Sequence, residues 1–309
     1  MSVPDSLPPP PLSLRLLPDW LAIALGWTLA RWPWWLAVPA GRALGALMQR
    51  TMIARGRIAA RNLALCFPER SESERDEMWR ASFRSLGVSV FEFLRAWWGP
   101  LTPLDRRYEV LGLEHLQAAQ KNGRGVILVS PHLTTLEISV RLLCRQVDLA
   151  GMYRPHESPA LEWAVKRGRL RYTRAMYTRD ELRPALRHLK TGGVLWFAPD
   201  QETRRGESVF VPFFGQPAWS LTSTHQLARL SGAAVLSLFY QRLADGSYRI
   251  EIGPPLENFP SADATADTAR IMALMEQLIR RAPEQYLWVH DRFKRQMSSD
   301  QIPATPRDQ

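Results

Sequence analysis

A histidine and a carboxylate separated by four residues form the part of this sequence best suited to chemistry. They are His132 and Glu137, within the stretch GVILVSPHLTTLE at 125–137. A neutral imidazole held in one tautomer by an acid can accept a proton from a hydroxyl group. We therefore predict that His132 is a general base and that Glu137 orients it.

The residues around His132 place it in a strand-to-helix turn. The run 126–129 is short and apolar, as expected for a buried parallel strand, and apolar residues recur at helical spacing from Thr134 onward. Pro131 disfavours a helical conformation at Ser130 and keeps the turn open. Ligands of α/β sheets bind at the carboxyl ends of strands, so this position favours a functional role for His132.

Glu137 also has a purely structural interpretation. Thr134 and Glu137 form the T-x-x-E pattern of a capping box ahead of an apolar run. The chain has 6 histidines and 30 acidic residues in 309, so a His-x4-acid match is expected about 0.6 times by chance. The motif needs support from its surroundings.

That support comes from seven sequence blocks that flank the motif. They are RNLALCFPE at 61–69, YEVLGLEHL at 108–116, MYRP at 152–155, GRLR at 168–171, APD at 198–200, VFVPFFG at 209–215 and APEQYLWVHDRFK at 282–294. With these blocks, residues 20–295 resemble the late, lauroyl/myristoyl-type acyltransferases of lipid A biosynthesis. This family belongs to the lysophospholipid acyltransferase-like superfamily, whose signature is His-x4-Asp or His-x4-Glu.

The resemblance implies transfer of a fatty acyl group from acyl carrier protein to a hydroxyl of a 3-hydroxyacyl chain on a Kdo-bearing lipid A precursor. The partners would be the carrier protein, an anionic glycolipid acceptor and the inner membrane, with the catalytic domain on the cytoplasmic side. It implies no cofactor and no metal. The alternatives are transfer to a phospholipid, aminolipid or other glycolipid, hydrolysis of a thioester, and a non-catalytic membrane-binding role.

Substrate-binding residues are also expected from the resemblance. Arg169 aligns with the arginine of GRLR and would bind substrate phosphate or the charge of the transition state. Arg154 and Arg171 would join it in binding substrate phosphate, which guanidinium groups meet in a bidentate fork. The alternative is a basic surface patch for lipid headgroups. Asp200 ends the APD block at a predicted strand end and would contact the acceptor, unless it only caps a turn.

The composition and the absence of other catalytic motifs agree with this interpretation. The sequence lacks the G-x-S-x-G, H-E-x-x-H, G-x-x-x-x-G-K-[ST] and G-x-G-x-x-G patterns of serine hydrolases, zinc hydrolases and nucleotide-binding enzymes. The net charge of +10 suits an acidic carrier protein and an anionic lipid. No nucleic-acid-binding motif accompanies that charge, so nucleic acid is not expected as a partner. Cys66 and Cys144 are expected to be reduced thiols.

An apolar segment near the N-terminus predicts membrane attachment. Residues 20–40 are apolar except for Thr28 and Arg31 and are just long enough to span a bilayer. Arg31 and Pro33 disfavour a straight span, so two shallow helices at 19–30 and 34–48 are an alternative, as is a buried helical hairpin. More arginines follow the segment than precede it, which places the bulk of the chain in the cytoplasm.

The overall pattern predicts an α/β fold with a mostly parallel central sheet flanked by helices, preceded by a membrane helix and a helical segment. Strands are expected at 108–111, 125–130, 148–153, 174–177, 193–198, 233–243 and 247–252. Helices are expected at 48–65, 73–98, 113–121, 134–146, 158–168, 179–190, 220–231 and 264–281. The domains would be a leader at 1–18, a membrane anchor at 19–40, a basic helical region at 41–104, an acyltransferase domain at 105–295 and a flexible tail at 296–309.

Overall fold

The computed structural model describes residues 7–121, 123–202 and 206–295. The tail predicted at 296–309 lies outside these residues, as do residues 1–6 of the predicted leader. Four helices come first along the described chain. They are α1 (Leu17–Leu29), α2 (Trp34–Thr51), α3 (Ile53–Cys66) and α4 (Glu72–Trp98).

A seven-stranded, mostly parallel sheet forms the centre of the fold, as predicted. Its strands are β1 (Tyr108–Leu111), β2 (Val126–Val129), β3 (Leu149–Tyr153), β4 (Ala175–Thr178), β5 (Val194–Phe197), β8 (Ala234–Arg242) and β9 (Tyr248–Pro255). Their order is β1-β9-β8-β2-β5-β3-β4, and only β8 and β9 pair antiparallel. Strands β2 and β5 are adjacent at its centre, so their carboxyl ends meet at one edge.

A two-stranded hairpin of β6 (Ser208–Phe213) and β7 (Gln216–Leu221) was not predicted. The prediction of a helix from residue 220 was therefore wrong at its start, because this helix begins at Ser223. The helices of the sheet region are α5 (Leu113–Lys121), α6 (Leu136–Leu143), α7 (Pro159–Arg169), α8 (Leu182–Lys190), α9 (Ser223–Ser231) and α10 (Ala264–Arg281).

The order of the strands fixes which helices share a face of the sheet. Crossovers between parallel strands are right-handed. The chain moves one way across the sheet from β2 to β3 and β4, and the other way from β4 to β5 and β8. Helices α6 and α7 therefore lie on one face, and α8 and α9 lie on the other. Helix α4 packs against α6 and α7, and α1 packs against α4 and α7, so the N-terminal helices belong to the first face.

Close packing of glycines fixes α2 against α4. A Cβ atom on Gly45 would lie 2.2 Å from the Phe83 carbonyl oxygen, and one on Gly87 would lie 2.1 Å from the Gly41 carbonyl oxygen. Small residues spaced like Gly41 and Gly45 allow two helix backbones to approach this closely. The N-terminal helices are thus rigidly joined to the helix that passes beside the predicted catalytic turn.

The apolar N-terminal segment folds as two helices. Helix α1 ends at Leu29 and α2 begins at Trp34, with Pro33 between them and the Arg31 guanidinium over the Trp27 ring. Among the described residues, no helix is both long and apolar enough to cross a bilayer, so the predicted transmembrane helix is not found. Two separate helices agree with both alternatives, the pair of shallow helices and the helical hairpin, and membrane attachment stays a prediction.

Candidate active site

His132 lies in the turn between β2 and α6, as the sequence predicts. Its imidazole is about one-quarter exposed, at the carboxyl edge of the sheet. Its Nδ1 atom lies 2.6 Å from Oδ1 of Asp200, and its backbone N–H donates to Oδ2 of the same carboxylate at 3.0 Å. Asp200 follows β5, the neighbour of β2, and is fully buried.

The acid that orients His132 in this structure is therefore Asp200, and the expected pairing with Glu137 is wrong. A carboxylate only accepts hydrogen bonds, so the Nδ1 atom of His132 carries the proton. The Nε2 atom makes no hydrogen bond within the described residues, and its lone pair is left for a substrate proton. The sequence predicts that Asp200 contacts the acceptor, but the structure pairs its carboxylate with the imidazole of His132 instead.

A C-terminal segment holds this pair from the other side. The Tyr286 hydroxyl donates to Oδ2 of Asp200 at 3.0 Å. The backbone N–H of Leu287 donates to the His132 carbonyl oxygen at 3.1 Å, and that of Thr134 donates to the Gln285 carbonyl oxygen at 2.7 Å. Sequence reasoning missed Tyr286, although it lies in the quoted block APEQYLWVHDRFK.

The electrostatics of this pair favour a proton on the histidine during a reaction. Burial by itself would raise the pKa of Asp200, but the charge of His132 and the hydrogen bonds from His132 and Tyr286 lower that pKa below its usual value. Asp200 therefore stays ionised at neutral pH and stabilises an imidazolium beside it. This is the arrangement that a general base needs.

Glu137 has a different set of partners, on the first turn of α6. Its carboxylate accepts hydrogen bonds from Trp97 Nε1 at 2.7 Å, Arg169 Nε at 3.1 Å and the Tyr172 hydroxyl at 3.2 Å. The residue that caps α6 is Thr135, with no side-chain capping bond, so the capping-box interpretation is also wrong. Glu137 is the centre of a buried cluster that joins α4, α6 and α7.

The three predicted phosphate-binding arginines are in unlike environments. Arg169 is largely buried, forms an ion pair with Glu137 and packs against the rings of Trp97 and Tyr153. Its charge is thus matched by a protein carboxylate. Arg154 and Arg171 are exposed, and of these two only Arg154 lines the cavities beside His132.

Two cavities meet at His132. The first has a volume of about 300 Å³ and a mainly apolar lining. Its apolar lining includes Phe93, Leu136, Val140, Leu149, Ala150, Met152, Met176 and Trp196. The second has a volume of about 490 Å³ and carries Arg154 and Arg179 on its wall. Trp196 lines both cavities, and its indole N–H donates to the Ser130 hydroxyl at 2.8 Å.

The site offers no cluster of metal ligands. Within residues 7–121, 123–202 and 206–295, no three His, Cys, Asp or Glu side chains converge as a metal ion would require. Cys66 and Cys144 are both free thiols, as predicted. Burial raises the pKa of Cys144 to about 12, so this thiol is protonated at neutral pH and is a poor nucleophile.

Comparison with known proteins agrees with this site. Residues 11–295 match the family described as bacterial lipid A biosynthesis acyltransferase. The lipid A biosynthesis lauroyltransferase and palmitoleoyltransferase of Escherichia coli (strain K12) are each 39% identical over 277 residues, covering 89% of this chain and 90% of theirs. A lipid A biosynthesis acyltransferase of Haemophilus influenzae is 33% identical, covering 89% of both chains. The chain therefore belongs to the bacterial lipid A biosynthesis acyltransferase family.

Proposed function

We propose that this acyltransferase moves a fatty acyl group from acyl carrier protein to the hydroxyl of a 3-hydroxyacyl chain on a Kdo-lipid A precursor. Membership of the family supports a late step of lipid A biosynthesis. The observation that carries the mechanism is the His132–Asp200 pair at the junction of two cavities. The first cavity suits a hydrocarbon chain, and the second, which is larger and includes Arg179, leaves room for a polar group.

In the proposed reaction, Nε2 of His132 accepts the proton of the acceptor hydroxyl as its oxygen attacks the thioester carbonyl carbon. The tetrahedral intermediate collapses by breaking the carbon–sulfur bond, and the imidazolium returns its proton to the departing thiolate. Asp200 stabilises the imidazolium between these steps, and Tyr286 holds Asp200 in place. General-base catalysis of this kind contributes about 10² to 10⁴ in rate.

Glu137 has a positioning role in this proposal. Together with Arg169, Trp97 and Tyr172, it fixes the first turn of α6. This turn begins four residues after His132, so movement of the helix would move the imidazole. The Glu137–Arg169 pair also lines the apolar cavity.

The apolar cavity would hold the hydrocarbon chain of the transferred acyl group. It extends from His132 past Gly151 of β3 to Met176 of β4. The second cavity would hold the polar part of a substrate. Arg154 is available there for phosphate because its ion pair within the described residues is a long one, 3.8 Å, to the exposed Glu157.

The N-terminal helices would attach the enzyme to the cytoplasmic face of the inner membrane. Their exposed large apolar side chains include Trp35 at 76% and Leu21 at 62% exposure, and Leu14 just before α1 is 90% exposed. An apolar patch of this kind, with arginines such as Arg31 beside it, suits insertion at the level of the lipid headgroups. A lipid acceptor would then be presented next to α4 and the apolar cavity.

Reconstituted transfer tests this proposal directly. Purified enzyme in detergent would be given acyl–carrier protein and a Kdo-lipid A precursor, and the acylated product measured by mass spectrometry. We expect transfer by the wild type, a loss of about 10² to 10⁴ in His132→Ala, and little change in the matched control His115→Ala on α5. Release of free fatty acid without acylated lipid would point to a thioesterase and contradict the proposal.

A further inference from the structure

One exposed surface of the catalytic domain combines basic and apolar side chains. We call it the α8–α9 surface and define it by Arg179, Leu182, Arg183, Arg187, Arg229 and Leu230. Leu182 is 41% exposed and Leu230 is 48% exposed. Most of the exposed large apolar residues in the described chain lie at 12–53, and these two leucines are among the three that lie elsewhere.

The basic residues of this surface form a stripe. Arg179, Arg183, Arg187 and Lys190 follow one another at intervals of four, four and three residues, which places them on one side of α8 and the turn before it. None of the four forms an ion pair in the part of the chain that the structure describes. Two acids lie in the same turn: Glu181 accepts from the Thr178 backbone N–H at 2.8 Å, and Asp180 is exposed beside Arg179.

The position of the surface argues against a bilayer as its partner. Helices α8 and α9 lie on the face of the sheet opposite α6 and α7, whereas the apolar helices α1 and α2 lie with α4 on the α6–α7 face. A membrane that contacts α1 and α2 would therefore leave the α8–α9 surface toward the aqueous phase. Its partner is expected to be a water-soluble, acidic macromolecule.

The surface also lies at the entrance to the site. Arg179, Leu182 and Leu230 line the second cavity, whose inner end is at His132. From His132 the path continues into the apolar cavity. A thioester carried on a flexible arm could pass through the second cavity, place its carbonyl at His132 and extend its hydrocarbon chain beyond.

We propose that the α8–α9 surface docks the acidic carrier protein that delivers the acyl thioester. This inference rests on the proposed function, because it assumes a carrier-bound donor. Acidic side chains of the carrier would face the arginine stripe, and apolar side chains would pack on Leu182 and Leu230. Complementary charge of this kind raises the association rate and is weakened by salt.

The test reverses charge on the stripe without changing the cavity. The double variant Arg183→Glu/Arg187→Glu would be compared with Arg106→Glu/Lys121→Glu, an equal charge change at exposed residues that belong to neither α8 nor α9. Each variant would be assayed with acyl–carrier protein and with the acylated pantetheine thioester, which has the arm but no protein. We expect the first variant to raise KM for the carrier-bound donor by roughly tenfold at low salt, with pantetheine-thioester turnover unchanged.

Other results would overturn the proposal. An equal loss with both donors, or an equal loss in the Arg106/Lys121 control, would show that the stripe does not recognise the carrier. Loss of binding to anionic phospholipid vesicles in the stripe variant would make the surface a membrane contact. If the wild type used both donors with equal kcat/KM, carrier docking would be refuted and the proposed function would stand. If it used neither donor, the proposed function would be refuted as well.

Discussion

Replacement of Asp200 by Asn should remove most of the catalysis and leave the protein folded. Asp200 is fully buried, and its Oδ1 atom lies 2.6 Å from Nδ1 of His132. Two opposite charges about 4 Å apart at an effective dielectric constant near 20 attract by about 4 kcal/mol. The proposed reaction places a positive charge on His132, so loss of the carboxylate charge should lower kcat by about a thousandfold.

The stability cost of Asp200→Asn should be smaller than its effect on rate. The amide keeps one acceptor for His132, but its NH₂ group would face the His132 backbone N–H, which also donates. One unsatisfied buried group of this kind costs about 1 to 3 kcal/mol. Steady-state kinetics with saturating substrates and chemical denaturation would measure the two effects separately.

Glu137→Gln is the matched comparison and should reduce stability more than rate. It leaves the Arg169 guanidinium buried beside a neutral amide, which should lower the free energy of unfolding by about 3 to 5 kcal/mol. The fraction that remains folded should keep the His132–Asp200 pair and most of its kcat. The assignment of the orienting acid would be refuted if Glu137→Gln abolished turnover while Asp200→Asn retained it.

Three further perturbations follow from the packing and the buried histidine. Gly151→Leu should shift donor preference toward shorter acyl chains in a competition assay. A Cβ atom at this position already lies 3.3 Å from Met176, and each methylene excluded from the cavity is worth about 0.8 kcal/mol. An unchanged preference would show that the acyl chain does not bind in this cavity. Gly87→Ala should lower the free energy of unfolding by at least about 1 to 3 kcal/mol, because the added methyl group overlaps the α2 backbone. Urea denaturation would measure this loss, and an unchanged midpoint would refute the close contact. Burial lowers the pKa of His290 to about 4 from 6.5. As pH falls, His290 is therefore protonated in the unfolded state at a higher pH than in the folded state. Stability should therefore decrease between pH 6.5 and 4, by at most about 3 kcal/mol, and less so in His290→Gln.

The sequence was sufficient to predict the fold and the position of His132 at a strand end, but not the pairing of side chains. Pro131 and the apolar run before it locate His132 at a strand end, and strand–helix alternation indicates a parallel sheet. Which strand lies next to β2 depends on the order of the sheet, and no local pattern contains that order. Asp200 was recognised as a strand-end residue, yet only the adjacency of β2 and β5 brings it to His132.

The roles of Glu137 and Tyr286 illustrate the same limit. Glu137 is five residues beyond His132 along the chain, but its partners come from α4 and from the end of α7, which fold back over α6. Tyr286 is distant in sequence and reaches Asp200 only because its segment pairs with the turn after β2. The β6–β7 hairpin was missed because Pro212 and Pro217 interrupt the strand pattern there.

The central claim is that this chain acylates a lipid A precursor with His132 as the base. The most direct measurement is mass spectrometry of lipid A from cells that lack their own late acyltransferases and express either the wild type or His132→Ala. We predict that the wild type adds the mass of one fatty acyl group and that His132→Ala, at equal protein abundance, adds none. An unchanged lipid A with the wild type, or full acylation with His132→Ala, would contradict the account.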